Sequence, residues 1–201
     1  TVGIGSQGIL MDGTPEQKAR YLPRLAAGDL IASFALTEPE AGSDAASLRT
    51  SATLSGEDYV LNGTKRYITN APLAGMFTVM ARTDPGSKGA GGVSAFIVEA
   101  GTPGLRLGKR DRKMGQRGAW TCDVIFDNCR VPVENLIGRE GEGYGIALGG
   151  LEGGRIGIAA QSVGMARSAL EVAVAYAKER QSFGTAILNH QAVGFRLAEC
   201  A

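Results

Sequence analysis

Residues 34–44 read Phe-Ala-Leu-Thr-Glu-Pro-Glu-Ala-Gly-Ser-Asp, a strand-like apolar run that stops abruptly in short hydroxyls and turn residues. Pro39 removes a ladder donor and pushes Glu38 towards extended geometry, so a strand over residues 30–36 must end there. Gly42 opens backbone conformations that other residues avoid. The outcome is a set of free backbone N–H groups beside the hydroxyls of Thr37 and Ser43 at a strand end, where α/β and α+β proteins often bind ligands. The same residues also make an ordinary polar turn. A second stretch, Lys65-Arg66-Tyr67-Ile68-Thr69-Asn70, again ends a strand with an aromatic ring, a hydroxyl and a carboxamide. Tyr67 can serve there as a core aromatic or as an outward stacking surface.

Other constellations carry less. Gly3-Ile4-Gly5-Ser6-Gln7-Gly8 matches the dinucleotide fingerprint letter for letter, but it neither follows a recognisable strand nor opens a βαβ unit, and it is rejected. No phosphate-binding P-loop is present, and the lone His190 has no supporting pattern for a serine or cysteine triad. Cys122, Cys129 and Cys200 are odd in number and lack CxxC spacing, which argues against a disulfide framework and a zinc site; small buried apolar roles are expected for all three. No metal site is expected.

Lys+Arg total 21 against Asp+Glu 20, so the overall charge leaves no footprint for nucleic acid or an anionic membrane. No run of apolar residues is long enough to span a membrane, and the first residues lack a basic-then-apolar targeting pattern. A soluble intracellular protein is the expectation. Both ends read as cut, with no initiator Met and a helical pattern that reaches Ala201 without a cap.

Three kinds of element must position the polar segments. Thr14-Pro15-Glu16-Gln17 is a capping box with proline in the first helical turn; the helix is expected to break at Pro23, and Gly28 to end the helical stretch. Short apolar runs follow at 30–36, 59–61, 77–81, 93–98 and 124–126, with hairpin-type turns expected at Ser55-Gly56 and Asn62-Gly63 and an exposed loop over 84–92. These predict an all-β module, a small barrel or sandwich. Beyond residue 143 the pattern turns helical. Ile156, Ala160, Val163, Leu170, Val174 and Ala177 predict a buried stripe on a long helix, and a second helix is expected to start with Asn189 as its N-cap. Gly154, Gly157 and Gly164 each cost about 1 kcal/mol relative to alanine in a helix, which predicts close approach by another backbone or a ligand.

Taken together, Ala35-Leu36-Thr37-Glu38-x-x-Ala41-Gly42-Ser43-Asp44-x-x-Ser47 and the aromatic-Ile-Thr-Asn pattern at 67–70 resemble the acyl-CoA dehydrogenase family of flavoenzymes. Further matches follow in family order: 114–118 (Met-Gly-Gln-Arg-Gly), 124–132, 154–159, 180–184 (Arg-Gln-Ser-Phe-Gly) and His190-Gln191. The resemblance covers nearly the whole chain. It implies an α+β, multi-domain protein with a central β barrel or sandwich flanked by helical domains, the C-terminal one a four-helix-bundle type that is incomplete in these residues. The expected divisions are 1–30, the end of an N-terminal helical domain; 31–138, the β domain; and 139–201, the start of the bundle. The family is about twice as long.

The resemblance also implies roles. FAD would be held by Phe34, Ala35, Leu36, Thr37, Gly42, Ser43, Tyr67, Ile68 and Thr69, with Tyr67 covering the ring where the family commonly has tryptophan, and Thr69 near N5. Arg180, Ser182, Phe183, His190 and Gln191 would reach the adenosine diphosphate part of FAD in a neighbouring subunit. Arginine suits a pyrophosphate, although Arg180 is equally a solvated cation favoured by a helix C-terminus. Ser43, Glu152 and Arg155 match positions that contact the acyl-CoA thioester, and Glu152 could equally be a helix-dipole partner. Trp120 stands where relatives often carry a small polar residue.

The reaction implied is α,β-dehydrogenation of an acyl-CoA, with a carboxylate removing the α-proton while hydride leaves for the flavin. Electrons would then pass to an electron-transferring flavoprotein. No catalytic base is visible. In most relatives it lies far downstream, and in a minority it precedes the arginine matched by Arg155, where this chain has Gly154; it is expected beyond residue 201. An oxidase using oxygen, or a non-enzymatic flavin- or acyl-CoA-binding scaffold, stays open as an alternative. A homotetramer is implied, in fatty acid metabolism, in bacterial cytoplasm or the mitochondrial matrix.

Overall fold

The computed structural model describes residues 3–87 and 89–201. These divide into two compact units, one ending at Gly153 and one spanning Gly154–Ala201. A single helix, α3 (Gly143–Glu179), runs through the division.

The first unit opens with α1 (Ile4–Asp12) and α2 (Pro15–Ala27). Thr14 Oγ1 accepts the Gln17 N–H at 3.2 Å while Gln17 Oε1 accepts the Thr14 N–H at 3.0 Å, completing the capping box. Gln17 Nε2 also donates to the carbonyls of Glu134 and Leu136, which ties the helix to distant chain. Contrary to expectation, α2 continues through Pro23 to Ala27 and ends at Gly28 in the left-handed region. Pro23 lies on the exposed face between the buried anchors Tyr21 and Leu25, whose packing outweighs one missing hydrogen bond. The glycine-rich run 3–8 belongs to α1. A Cβ on Gly5 would lie 2.8 Å from the Ala32 carbonyl, so this glycine permits helix-to-strand packing.

Eight strands follow in one sheet: β1 (Ala32–Ala35), β2 (Ser51–Ser55), β3 (Asp58–Thr69), β4 (Met76–Arg82), β5 (Val93–Glu99), β6 (Leu105–Leu107), β7 (Thr121–Pro132) and β8 (Leu136–Ile137). The order is β6-β7-β3-β2-β4-β5-β8, with β1 parallel to β4. One bridge, Ser51 to Arg82, joins the two halves, so the sheet folds over itself as a sandwich and does not close into a barrel. Side-chain alternation then separates two cores. Phe77, Val79 and Ala81 of β4 and Phe96 and Val98 of β5 face Tyr59, Leu61, Val124 and Phe126 across the sandwich. Met76, Met80, Val93, Ala95 and Ile97 point the other way, against Ile9, Tyr21, Leu25 and Ile146.

Ser55-Gly56 makes the β2–β3 turn as expected, but Asn62-Gly63 makes none. It sits inside β3 at a bulge opposite β7, where Asn62 Oδ1 accepts the Asn128 N–H at 2.8 Å. Gly63 has φ 150°, and a Cβ there would lie 2.7 Å from Thr50 Cα. Cys122 and Cys129 are buried as expected, whereas Cys200 is exposed.

The second unit holds the rest of α3, a hairpin of β9 (Gln181–Ser182) and β10 (Thr185–Ala186), and α4 (Gln191–Glu199). The predicted stripe is buried only at its end: Ala177 is covered and Leu170 and Val174 are half-buried, but Ile156 and Val163 are 75% and 69% exposed and Ala160 is also exposed. The short hairpin and α4 are all this unit offers to cover a long helix. A Cβ added to Gly157 or Gly164 would likewise meet nothing within 4 Å among the described residues. His190, and not Asn189, is the N-cap of α4; Asn189 Nδ2 instead donates to Thr185 Oγ1. No helix among the described residues is long and apolar enough to cross a membrane.

Gly63→Ala should destabilise the first unit by about 1–3 kcal/mol, because the methyl meets Thr50 backbone and the φ is unfavourable. Chemical denaturation checks it; an unchanged midpoint would contradict the bulge geometry.

Candidate functional site

Lys65 is wholly buried on β3, and its Nζ donates to Glu38 Oε1 at 2.7 Å and the Leu36 carbonyl at 3.1 Å. The Glu38 carboxylate also accepts the N–H groups of Arg49 and Thr50 at 2.6 and 2.9 Å. One ion pair therefore closes the loop 37–50 at both ends onto β3. Burial pulls the Lys65 ammonium down to about 8, with Glu38 pulling back in part. For Glu38, burial works to raise the carboxyl, but the Lys65 charge and the donors from Lys65, Thr50 and Arg49 outweigh it and hold it below the usual carboxylate range. Sequence reading placed both residues in its polar segments but did not pair them. An inward lysine in a strand opposite a turn glutamate was the available signal, since Lys65 keeps the inward alternation of Tyr59 and Leu61 along β3.

The two polar segments are brought together. The Arg66 N–H donates to the Thr37 carbonyl at 2.8 Å, and Ser33 Oγ donates to the Thr69 carbonyl at 2.7 Å. Between Lys65–Val124 and Ile68–Cys122 the register slips, so Arg66 and Tyr67 together face Asp123 alone. Arg66 grips Asp123 through Nε and a terminal nitrogen at 3.2 and 3.0 Å. Tyr67 is thereby turned outward with φ 59°, an unusual state for a bulky residue, and is 66% exposed.

Thr37, tied to the residue before this ring, is half-buried, and Gly42, Ser43 and Thr69 are exposed. Among the described residues, no hydrogen bond engages the N–H groups of Gly42 and Ser43 or the hydroxyls of Thr37, Ser43 and Thr69. Phe34 is half-buried. Ala35, Leu36 and Ile68 turn their side chains into the cores, so only their backbone faces the site. Trp120 gains a role that the sequence did not suggest. Its carbonyl accepts the Asn70 N–H at 2.6 Å, and the Arg110 guanidinium stacks 3.9 Å from its ring.

In the second unit, Ser182 Oγ and His190 Nε2 are hydrogen-bonded at 2.8 Å, and the Phe183 and His190 rings meet edge-to-face with centroids 6.1 Å apart. Phe183 and Gly184 form the two-residue hairpin turn, both at positive φ (52° and 79°), and Phe183 is 99% exposed. Arg180 and Gln191 are exposed beside this cluster in sequence. Glu152 and Arg155 are both exposed, one turn apart on α3. No group of three or more His, Cys, Asp or Glu able to hold a metal occurs among the described residues.

Lys65→Met should cost about 3–5 kcal/mol by stranding the Glu38 carboxylate, and Lys65→Met with Glu38→Gln should cost less. Because the folded value of Glu38 is lowered, its stabilisation is complete above 4.5 and is lost as pH falls through the folded value. The stability gap between wild type and Glu38→Gln, measured by denaturant melts, should therefore narrow below pH 4.5; a gap that widens would contradict the pair. Tyr67→Asn should keep the stability of the ligand-free protein or raise it by up to about 1 kcal/mol, since asparagine tolerates this conformation. A loss above that size would return Tyr67 to a packing role.

Comparison with known proteins bears on the family. The family model for the acyl-CoA dehydrogenase middle domain matches residues 33–129, and that for the acyl-CoA dehydrogenase C-terminal domain matches residues 141–201. A protein of Bacillus subtilis (strain 168) named acyl-CoA dehydrogenase is 50% identical over 198 residues, 98% of this chain and 52% of that protein. The structure of butyryl-CoA dehydrogenase from Megasphaera elsdenii is similar with TM-score 0.95 at 44% identity, over 100% of this chain and 52% of that one. That of an acyl-CoA dehydrogenase complexed with FAD from Bacillus anthracis gives TM-score 0.92 at 41% identity, over 98% of this chain and 34% of that one. The chain thus spans about half the length of the curated relatives it matches. Two family models along most of its length and these relatives along nearly all of it show that the chain belongs to the acyl-CoA dehydrogenase family.

Proposed function

We propose that the protein of which these residues form part binds FAD non-covalently and dehydrogenates an acyl-CoA thioester between its α and β carbons, passing the electrons to an electron-transferring flavoprotein. The observation that carries this reading is Tyr67: an exposed ring, held in a strained bulge on the strand end that carries Thr69 and is tied to Thr37, both with unengaged hydroxyls among the described residues. A flat heteroaromatic group with hydrogen-bond acceptors along its edge fits that set. FAD, when bound, supplies the hydride acceptor.

The chain's own residues divide the remaining work. Tyr67 covers one face of the ring, while the N–H groups and hydroxyls of residues 37–43 and Thr69 orient its polar edge. Ser43, Glu152 and Arg155 bind the thioester substrate. Arg180, Ser182, Phe183, His190 and Gln191 take the adenosine diphosphate part of FAD bound in a neighbouring copy, within a tetramer. Phe183 suits an aromatic partner because its turn exposes it and the His190 ring braces it. Removal of the α-proton needs a positioned carboxylate in a water-poor place. Glu38 is committed to Lys65 and Glu152 is exposed; the family resemblance implies a base on a residue beyond these 201.

The test uses the full-length protein. It should carry a flavin spectrum released by denaturation, and that spectrum should bleach on anaerobic mixing with acyl-CoAs. Arg180→Ala should weaken FAD affinity about ten- to hundredfold, the loss of a charge-assisted phosphate contact. A colourless protein that takes up no added FAD would sink the reading.

A further inference from the structure

Arg82 ends β4 half-buried, and the acceptors around its guanidinium are all main-chain carbonyls. Nε donates to Leu48 at 3.1 Å and Nη2 to Ala46 at 2.7 Å. On its other side Nη1 donates to Ser87 at 2.9 Å and Gly89 at 3.3 Å. Among the described residues no carboxylate pairs with it. One planar fork therefore bridges the stretch before β2 and the loop between β4 and β5. The fit is close: a Cβ added to Gly92 would lie 2.7 Å from Nη1 and 2.7 Å from the Asp84 carbonyl oxygen.

Each stretch is stiffened from within. Ser47 Oγ donates to the Asp44 carboxylate and the Ser47 N–H to the Asp44 carbonyl. Asp84 holds the N–H groups of Gly86 and Ser87 through its carboxylate and its carbonyl. Those bonds do not join one stretch to the other, and Arg82 does. The Glu38–Lys65 pair reaches the loop 37–50 near its ends, at Glu38 and at the N–H groups of Arg49 and Thr50. Arg82 reaches the part between, just after the exposed Ser43.

An exposed polar residue on a connecting segment must be ordered when its ligand binds, and ordering it beforehand removes that cost from binding. An arginine suits the task because its donors are spread over a rigid plane, whereas a lysine offers the same charge from a single atom. We propose that Arg82 is a positioning residue for the acyl-CoA: its fork fixes the segment 43–48 against the loop 84–92, so that Ser43 meets the thioester already in place. This rests on the assignment of Ser43 to the thioester made above. The flavin is held by other means, since residues 34–37 and 67–69 are fixed by β1, β3 and the Glu38–Lys65 pair.

The test compares full-length wild type, Arg82→Lys and Gly92→Ala, each loaded with FAD. Arg82→Lys keeps the charge and loses the fork; Gly92→Ala keeps Arg82 and crowds it. Anaerobic rapid mixing with butyryl-, octanoyl- or palmitoyl-CoA, whichever bleaches the wild-type flavin, gives a limiting rate and a half-saturating concentration. In both variants the half-saturating concentration should rise about tenfold or more, with the limiting rate falling by a smaller factor. FAD affinity should stay within about threefold of wild type, since its other contacts lie on elements that Arg82 does not hold. Hydrogen exchange without substrate should quicken about tenfold over residues 43–48 and stay unchanged in β4 and β5. Half-saturation unchanged in Arg82→Lys, or FAD affinity that falls as far as substrate affinity, overturns the proposal. So does exchange that quickens throughout β4 and β5, which returns Arg82 to a general stabilising role. A wild type that holds no FAD, or whose flavin none of these acyl-CoAs bleaches, overturns the functional reading and this inference with it before any variant is compared.

Discussion

Lys65 places an ammonium group where water does not reach, with one carboxylate oxygen and one carbonyl to hold it. Desolvating two ions costs several kcal/mol each, and only close pairing with further hydrogen bonds offsets it. Glu38 meets that condition because two backbone N–H groups complete its carboxylate. The loop 37–50 cannot swing away from β3 without stranding both charges. What the segment offers outward follows from this: Thr37 is tied to Arg66, and Gly42 and Ser43 are exposed, their N–H groups unengaged among the described residues.

Strain is placed on the same logic in both units. Tyr67 and Phe183 are exposed aromatic residues at positive φ, one in a β-bulge and one in a two-residue turn. Neither ring adds to a core, and each conformation costs about 1–3 kcal/mol. The bulge survives because Arg66 grips Asp123 and Ile68 re-enters the core directly after it. The turn survives because β9 and β10 pair on either side and His190 packs against Phe183. A ring held outward at such cost is suited to meeting another ring.

Much of this was legible in the residues. Thr14 and Gln17 announced the start of α2, Gly28 its end, and the apolar runs marked β1, β4, β5 and β7, because propensity and packing agree there. Reading failed where tertiary contacts override local preference. Asn62-Gly63 is a strong turn signal, yet Asn128 and Thr50 hold it inside β3 as a bulge. Pro23 sits mid-helix because Tyr21 and Leu25 anchor both sides. The periodic stripe of α3 is apolar, as its spacing says, but mostly uncovered, since periodicity reports which residues seek cover and not whether these residues supply it. Both polar segments stand out as motifs. Their juxtaposition does not, because it depends on an ion pair between residues 27 apart.

The central claim is that the Glu38–Lys65 pair shapes the ring site, and a double-mutant cycle on FAD affinity tests it most directly. The dissociation constant would be measured for full-length wild type, Glu38→Gln, Lys65→Met and the double variant, each under conditions where denaturation curves show it folded. The account predicts that either single change weakens FAD by about tenfold or more, and that the double is no weaker than the worse single, because both break one clamp. Unchanged affinity in the single variants, or losses that simply add, would contradict it.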